Sequence, residues 1–153
     1  PGTDTRDGIS TIKSRIGLSA EAIVINVGDD IAVYMARHNA DVIIVDEAQF
    51  LNQEQVVQLR DIVSKYNIPV MCYGLRTDFQ GKLFEGSKAL FELADEIQEI
   101  PSICDCGGKA IINARFDELG HVITDGNVVD LGGNEKYKAV CWCCYQKLRK
   151  RNS

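Results

Sequence analysis

The chain has 153 residues, of which 45% are hydrophobic and 25% charged, and its formal net charge is −5. Such a length and composition are typical of a globular protein with one domain, or with one domain and a small appendage. The negative charge argues against general binding to nucleic acid, and the short apolar runs argue against a membrane span. The start of the sequence carries no secretion signal, so we expect a cytoplasmic location.

The first part of the chain alternates predicted strands and helices. Residues 22–25 are a short strand candidate, and Asp29 or Asp30 can cap the helix that follows. Residues 41–46 include four consecutive β-branched residues, which suit a strand buried on both faces of a parallel sheet. This pattern predicts an α/β fold class.

A helix and a second strand follow. Asn52 and Gln55 have the spacing of a capping box at a helix start, and residues 67–69 stop that helix. Residues 70–74 then form a second buried strand. Because strand, helix and strand follow each other so closely, we predict a βαβ unit with parallel pairing.

The second part of the chain changes in character. A helix is predicted over residues 87–95, and residues 96–100 alternate like an edge strand. Cysteines, glycines and short extended segments then dominate until a final helix from about Ala139. We therefore predict an α/β core over residues 1–101 and a small second domain over residues 102–153.

Two carboxylates, Asp46 and Glu47, directly follow the first buried strand. Ligands of open parallel sheets bind at the carboxyl ends of the strands, where P-loop nucleotidases hold Mg²⁺ with an aspartate. Glu47 is placed to take a proton from an attacking hydroxyl or water. Acidic residues also end strands that simply reach solvent, but Arg76 and Asp78 after the next strand favour a functional site.

A phosphate-binding loop is missing from the sequence. The chain contains no Gly-x-x-x-x-Gly-Lys-Ser/Thr motif, so these residues are not expected to hold a triphosphate unaided. Either the chain is not a P-loop enzyme, or that loop lies before Pro1. Because residues 1–4 contain no methionine, we expect an upstream segment.

Five of the six cysteines fall in two clusters, whereas Cys72 is interpreted as a small core residue of a strand. A structural, tetrahedral zinc ion would bind Cys104, Cys106, Cys141 and Cys144. Cys144 is preferred to Cys143 because a spacing of three places it near Cys141 on one helical face. Disulfides and free thiols are the alternatives, although nothing suggests an oxidising compartment.

A glycine-containing stretch over residues 126–137 lies between the two cysteine clusters. A loop that a metal pins at both ends can fold over a ligand as a lid. The alternative interpretation is a plain surface hairpin.

Four features in sequence order, namely residues 45–50, residues 73–79, the cysteine clusters and residues 131–137, resemble the zinc-containing (type II) thymidine kinases. The resemblance spans essentially the whole chain. It implies a parallel-sheet, P-loop-kinase-like core and a small zinc-binding domain whose loop closes as a lasso. The family's first strand, P-loop and helix would lie before Pro1, and without them we expect no turnover.

The resemblance also implies an activity. Members of the family transfer the γ-phosphate of ATP to the 5′-hydroxyl of thymidine with Mg²⁺, in nucleoside salvage for DNA synthesis. Inhibition by thymidine triphosphate and a cytoplasmic homotetramer are further expectations, and no nucleic acid or membrane partner is expected. The alternative is a non-catalytic, zinc-stabilised nucleoside-binding module, which a chain without a P-loop would fit.

Site roles follow from the match to the family's motifs. Glu47 resembles the general base, Asp46 the magnesium-side carboxylate, and Arg6 the arginine that steadies the transferring phosphate. Gln49 resembles a polar contact near the sugar and phosphates. The residues that resemble the walls around thymine are Phe50, Leu75, Phe79 and Phe84. The lasso contacts, largely through backbone groups, would come from Val128, Asp130 and Tyr137.

The match departs from the family at two positions. The family often has an apolar residue where Asp130 stands, which a backbone contact would tolerate and a side-chain contact would not. The last zinc ligand is often histidine, and here Cys144 occupies that position while Cys143 is extra.

Overall fold

The structure is a computed structural model, and it describes residues 11–13, 16–128 and 136–151, with the side chains of Lys13 and Lys136 left aside. The chain divides into two compact units. The core unit comprises Pro1–Leu75 and Glu85–Asp95, and the cysteine unit comprises Arg76–Phe84 and Glu96–Ser153. The predicted domains 1–101 and 102–153 stay a prediction.

The core unit begins with a short antiparallel pair, β1 (Thr11–Lys13) and β2 (Ser19–Glu21). The strand predicted at residues 22–25 is thus displaced upstream to β2. Helix α1 (Ile31–Met35) follows, and the side chain of its N-cap residue Asp30 accepts a hydrogen bond from the backbone N–H of Ala32. The predicted cap is therefore confirmed.

The predicted βαβ unit is present. It consists of β3 (Ile43–Val45), α2 (Gln53–Tyr66) and β4 (Val70–Cys72). The two strands pair in parallel, with Ile43 opposite Val70. The pairing places the residues after β3 and those after β4 at the same edge of the sheet.

Both ends of α2 are set by local sequence. The side chain of Asn52 accepts the Gln55 N–H and that of Gln55 accepts the Asn52 N–H, which completes the predicted capping box. Asn67 ends the helix in the left-handed conformation, with φ at 54°. Asparagine tolerates that conformation better than most residues.

A hydrophobic core lies on one face of β3 and β4. Its buried members are Ile31, Ala48, Leu51, Val56, Leu59, Ile62 and Ala89. On the opposite face, Ile44 is 60% exposed and Met71 is 43% exposed. The prediction of a strand buried on both faces is therefore wrong, because the described core packs against only one side of this sheet.

Helix α3 (Glu85–Leu93) begins two residues before the predicted start and packs closely on the 3₁₀ turn Ala48–Phe50. A Cβ atom at Gly86 would lie 2.6 Å from the carbonyl oxygens of Ala48 and Leu51. Real Cβ atoms do not approach backbone oxygen so closely, so glycine is what lets the first turn of α3 reach that turn.

The cysteine unit is built on a three-stranded antiparallel sheet with β7 at its centre. The elements of this unit are β5 (Ser102–Ile103), β6 (Lys109–Ala110), β7 (Ile112–Phe116), β8 (Val122–Ile123), β9 (Lys136–Val140) and α4 (Trp142–Arg151). Its core residues are Cys104, Ala110, Ile112, Ala114, Val122, Val140 and Tyr145.

Two element predictions fail in this unit. Residues 96–100 form no strand, and the final helix starts at Trp142 rather than near Ala139. Ala139 instead lies in β9, opposite Asn113 of β7. Pairing with the distant strand β7 makes this segment a strand. The local periodicity of the sequence gives no indication of that pairing. None of the described helices is long and apolar enough to cross a membrane.

Candidate functional site

The tip of β3 carries the two predicted carboxylates in an unusual backbone conformation. The Asp46 side chain is exposed, and its Oδ1 accepts the Glu47 backbone N–H at 2.9 Å. Glu47 has φ 52° and ψ 38°, in the left-handed region. For a non-glycine residue such a conformation costs about 1–3 kcal/mol and is concentrated at functional sites. The backbone conformation of Glu47 therefore indicates a functional position, independently of the carboxylate chemistry of its side chain.

Gln49 connects this tip to the segment after β4. Its Nε2 donates to Glu47 Oε2 at 2.5 Å, and its Oε1 accepts the Leu75 backbone N–H at 3.0 Å. The Gln49 side chain is buried, with only 2% of the residue exposed. Both ends of one buried amide are thus used to join two strand tips.

The segment after β4 is held just as closely. A Cβ atom at Gly74 would lie 2.6 Å from Gln49 Oε1 and 3.0 Å from the Gln49 backbone nitrogen. The hydroxyl of Ser87, in the first turn of α3, donates to the Leu75 carbonyl at 2.6 Å. Glycine at position 74 therefore makes room for the buried amide, and Leu75 is fixed by hydrogen bonds at both its N–H and its C=O.

In the core unit the structure thus brings together most of the residues predicted for it. Asp46, Glu47, Gln49 and Leu75 form one hydrogen-bonded series, and Leu75 is 44% exposed. Phe50 is half-buried at the end of the 3₁₀ turn. Arg6 lies outside the described residues.

Asp78, the carboxylate noted after the second strand, has a structural task. The residue is 7% exposed, and its Oδ1 accepts the backbone N–H groups of Gln80 and Lys82, each at 2.9 Å. Aspartate side chains commonly stabilise turns in this way. The carboxylate therefore closes the 78–82 loop, which weakens its use as support for a functional site.

Phe79 lies in the same loop and is held by two residues that sequence reasoning missed. It is 2% exposed, the Arg115 guanidinium carbon lies 5.1 Å from its ring centroid, and the Tyr145 hydroxyl donates to its carbonyl at 3.1 Å. Arg115 also donates to the Asn127 carbonyl at 2.8 Å. The sequence feature that could have indicated Arg115 is an arginine between Ala114 and Phe116, in a strand that is otherwise mostly apolar.

The other predicted thymine contacts lie in the cysteine unit with Phe79. Phe84 is half-buried, Val128 is 37% exposed and Tyr137 is 54% exposed. Asp130 and most of the predicted lasso, residues 129–135, lie outside the described residues.

The four cysteines predicted to bind zinc converge. The Sγ atoms of Cys104, Cys106, Cys141 and Cys144 lie within 4.8 Å of one another. The separation between the sulfurs of Cys106 and Cys141 is 3.6 Å. Zinc–sulfur bonds of about 2.3 Å in a tetrahedron place sulfurs about 3.8 Å apart, so this donor set fits zinc.

Backbone N–H groups lower the pKa of two of the four cysteine thiols. The N–H groups of Cys106 and Cys141 lower the pKa of the Cys104 thiol to about 6. The Cys144 N–H points at the Cys141 sulfur at 3.4 Å and lowers the Cys141 pKa. Hydrogen bonds that the Cys144 thiol donates to the neighbouring sulfurs, Cys106 first, raise its pKa to about 12. Two of the four sulfurs thus favour the thiolate form that binds zinc.

The remaining two cysteines lie apart from this cluster. Cys143 is exposed, and its neighbour Cys144 supplies the fourth sulfur. Cys72 packs against the core from β4, and burial raises the pKa of its thiol to about 11. A raised pKa makes a thiol unreactive, which agrees with the interpretation of Cys72 as a core residue.

Comparison with known proteins identifies the family. The family model described as thymidine kinase matches residues 1–145 of this chain. The chain belongs to the thymidine kinase family. A thymidine kinase of Photobacterium profundum is 46% identical over 152 residues, which cover 97% of this chain and 79% of the relative.

Other bacterial relatives are equally close. The thymidine kinase of Vibrio cholerae is 49% identical over 152 residues, 97% of this chain and 79% of its own length. That of Rhizobium meliloti is 50% identical over 144 residues, 90% of this chain and 74% of its own length. The family resemblance of the motifs is thus confirmed over nearly the whole sequence.

Proposed function

We propose that this protein is a thymidine kinase that transfers the γ-phosphate of ATP to the 5′-hydroxyl of thymidine. The match to the thymidine kinase family over residues 1–145 carries the proposal. The acidic tip of β3 supports it, because a carboxylate at that position suits proton removal from a hydroxyl.

In this proposal, Glu47 accepts the proton of the thymidine 5′-hydroxyl as the hydroxyl oxygen attacks the γ-phosphorus, and the bond from that phosphorus to the β,γ-bridging oxygen breaks to release ADP. Its carboxylate oxygen Oε2 already accepts the Gln49 amide, so its direction is set before substrate arrives. Asp46 is the proposed magnesium-side carboxylate, since exposed carboxylate oxygens are ligands that Mg²⁺ accepts, directly or through water. Magnesium would neutralise the charge that develops on the phosphates.

Zinc has a structural role in this proposal. Four protein ligands leave no open coordination position for a substrate or water. The ion would hold the turn that contains Cys104 and Cys106 against the start of α4, where Cys141 and Cys144 lie. The cysteine unit would thereby gain a cross-link that supplements its small core.

Several finer expectations belong to the same proposal. They are a P-loop-kinase-like core, a lasso over thymine, inhibition by thymidine triphosphate, a homotetramer and a cytoplasmic location. The roles proposed for Arg6, Phe50, Leu75, Phe79, Phe84, Val128, Asp130 and Tyr137 come from the family's motifs. Phe79 is only 2% exposed and the Arg115 guanidinium lies over its ring, so stacking of this ring on a base would require its surroundings to open.

The direct test is phosphorylation by the purified full-length protein with ATP and Mg²⁺. Thymidine, deoxycytidine, deoxyadenosine and deoxyguanosine are offered separately, and the products are identified by mass spectrometry. We expect thymidine 5′-monophosphate as the principal product. Tight thymidine binding by calorimetry without product would instead support the non-catalytic nucleoside-binding module. If thymidine neither binds nor yields a product, both functions are contradicted.

A further inference from the structure

We infer that Arg115 is a positioning residue for thymidine binding, which holds both ends of the predicted lasso, residues 126–137, in place beside the Phe79 ring. The inference rests on the proposed function, in which the lasso and Phe79 contact thymine. It gives a role to a buried arginine to which the sequence motifs assign none.

The guanidinium of Arg115 contacts two separate segments of the cysteine unit. The residue is 3% exposed and lies in β7, the central strand of its sheet. Its guanidinium carbon lies 5.1 Å from the centroid of the Phe79 ring, and its Nη1 donates to the Asn127 carbonyl oxygen at 2.8 Å. A planar, charged group can stack on an aromatic ring and also donate hydrogen bonds along its edge. One side chain therefore connects the Phe79 loop with the first end of the lasso.

The second end of the lasso meets the same residue through the backbone. Tyr137 of β9 lies directly opposite Arg115 in the antiparallel pairing with β7. Residues opposite each other in such a pair have Cα atoms only about 4.5–5.5 Å apart. The stretch between Asn127 and Tyr137 is thus fixed to Arg115 at both ends, by the side chain at one and by strand pairing at the other. Any contact that this stretch makes with a nucleoside depends on the position of those ends.

A second contact links the Phe79 loop to the first end of the lasso. Gln80 donates from its Nε2 to the Gly126 carbonyl oxygen at 3.3 Å. The neighbouring carbonyls of Gly126 and Asn127 therefore both accept donors from other segments of the unit. Hydrogen bonds from a charged donor are stronger than those from a neutral amide, so we expect Arg115 to contribute more than Gln80.

Arg115→Met removes both contacts of the guanidinium and keeps a long side chain in the buried position. We expect the KM and the Kd for thymidine to rise by about tenfold, because a hydrogen bond to a charged group contributes about that much. The kcat and the KM for ATP should stay within about twofold of wild type, since no reacting group is displaced. Steady-state kinetics and calorimetry on the full-length protein measure these quantities.

Arg115→Lys separates charge from geometry. Lysine keeps a cation near the Phe79 ring but lacks the planar fork that also reaches the Asn127 carbonyl. We therefore expect a thymidine KM between those of the wild type and Arg115→Met. A thymidine KM in Arg115→Lys as high as in Arg115→Met would contradict a contribution of the cation on the ring.

Arg149→Met is the matched control. The Arg149 guanidinium carbon also lies over an aromatic ring, 5.9 Å from the centroid of Tyr145, but the residue is exposed on α4. We expect a wild-type KM for thymidine and a wild-type kcat. A thymidine KM raised as much as in Arg115→Met would show that loss of any arginine from this unit has the same effect, and it would overturn the inference.

Gln80→Met tests the same link at a half-buried position, where little stability is at risk. We expect the thymidine KM to rise by about threefold, with kcat unchanged. If Arg115→Met does not fold, this variant decides alone, and a wild-type thymidine KM would then overturn the inference.

Three results with a folded Arg115→Met variant would overturn the inference. A lower melting temperature with a wild-type thymidine KM would show a purely structural role, and a raised KM for ATP would indicate direct contact with the phosphates. In a double-mutant cycle with Phe79→Leu, we expect the thymidine KM of the double mutant to rise by less than the product of the two single effects. A rise equal to that product would contradict the link to Phe79. Failure of the wild-type protein to phosphorylate thymidine would contradict the proposed function instead, so the two failures are distinguishable.

Discussion

At the scale of single residues, the choice between Cys143 and Cys144 is the sharpest test of the proposed zinc site. Cys144 lies in the four-sulfur cluster, whereas the adjacent Cys143 is exposed. We expect Cys144→Ser to lower the bound zinc well below one ion per chain and Cys143→Ser to leave one ion bound. Inductively coupled plasma mass spectrometry after gel filtration measures the ratio. Zinc loss in Cys143→Ser but not in Cys144→Ser would contradict the assignment.

Some of these residues could be predicted from the sequence, and others could not. The spacing of three between Cys141 and Cys144 predicts a shared helical face, which is local information. The carboxylate of Asp78 accepts two N–H groups of its own loop. Whether it is available to a ligand therefore depends on the conformation of that loop, which the sequence does not show. The amide of Gln49 depends on Leu75, which lies far along the chain, so its burial was invisible from sequence.

At the scale of elements, α4 holds the loop over residues 76–84 through one side chain. The Tyr145 hydroxyl donates to the Phe79 carbonyl, and both residues are 2% exposed. Tyr145→Phe keeps the ring and leaves a buried carbonyl without that donor, which costs about 1–3 kcal/mol. We expect a lower melting temperature and a higher KM for thymidine, with zinc content unchanged.

Calorimetry and steady-state kinetics measure these effects, and Tyr66→Phe is the control. Tyr66 lies at the end of α2 and is 65% exposed, so removal of its hydroxyl should change neither quantity. A Tyr145→Phe variant with the wild-type KM would show that the hydrogen bond to Phe79 does not influence thymidine binding.

The elements that could be predicted are those specified by adjacent residues. The capping box of α2 and the apolar periodicity of the βαβ unit lie in one continuous stretch, and both were predicted correctly. The start of the predicted final helix falls in strand β9, because the partner strand β7 lies twenty or more residues upstream. Strand pairing over such a distance leaves no clear local pattern.

At the scale of the whole molecule, each of the two compact units combines segments that are separated in the sequence. Residues 76–84 come soon after β4 in the sequence, yet they belong to the cysteine unit. Phe79 gives the physical reason, since Arg115 and Tyr145 of that unit pack on it. Contacts from residues so far along the chain could not be predicted, whereas the ordered motifs were enough to indicate the family.

Turnover by Glu47→Gln in the full-length protein, with Glu54→Gln as the control, tests whether Glu47 is the general base. Glu54 is an exposed residue in the first turn of α2, so its substitution should leave turnover unchanged. For Glu47→Gln, we predict a kcat lower by about 10²–10⁴-fold, because a general base contributes that much. Thymidine binding, measured by calorimetry, should be nearly unaffected. Wild-type turnover of thymidine by Glu47→Gln would show that Glu47 is not the general base.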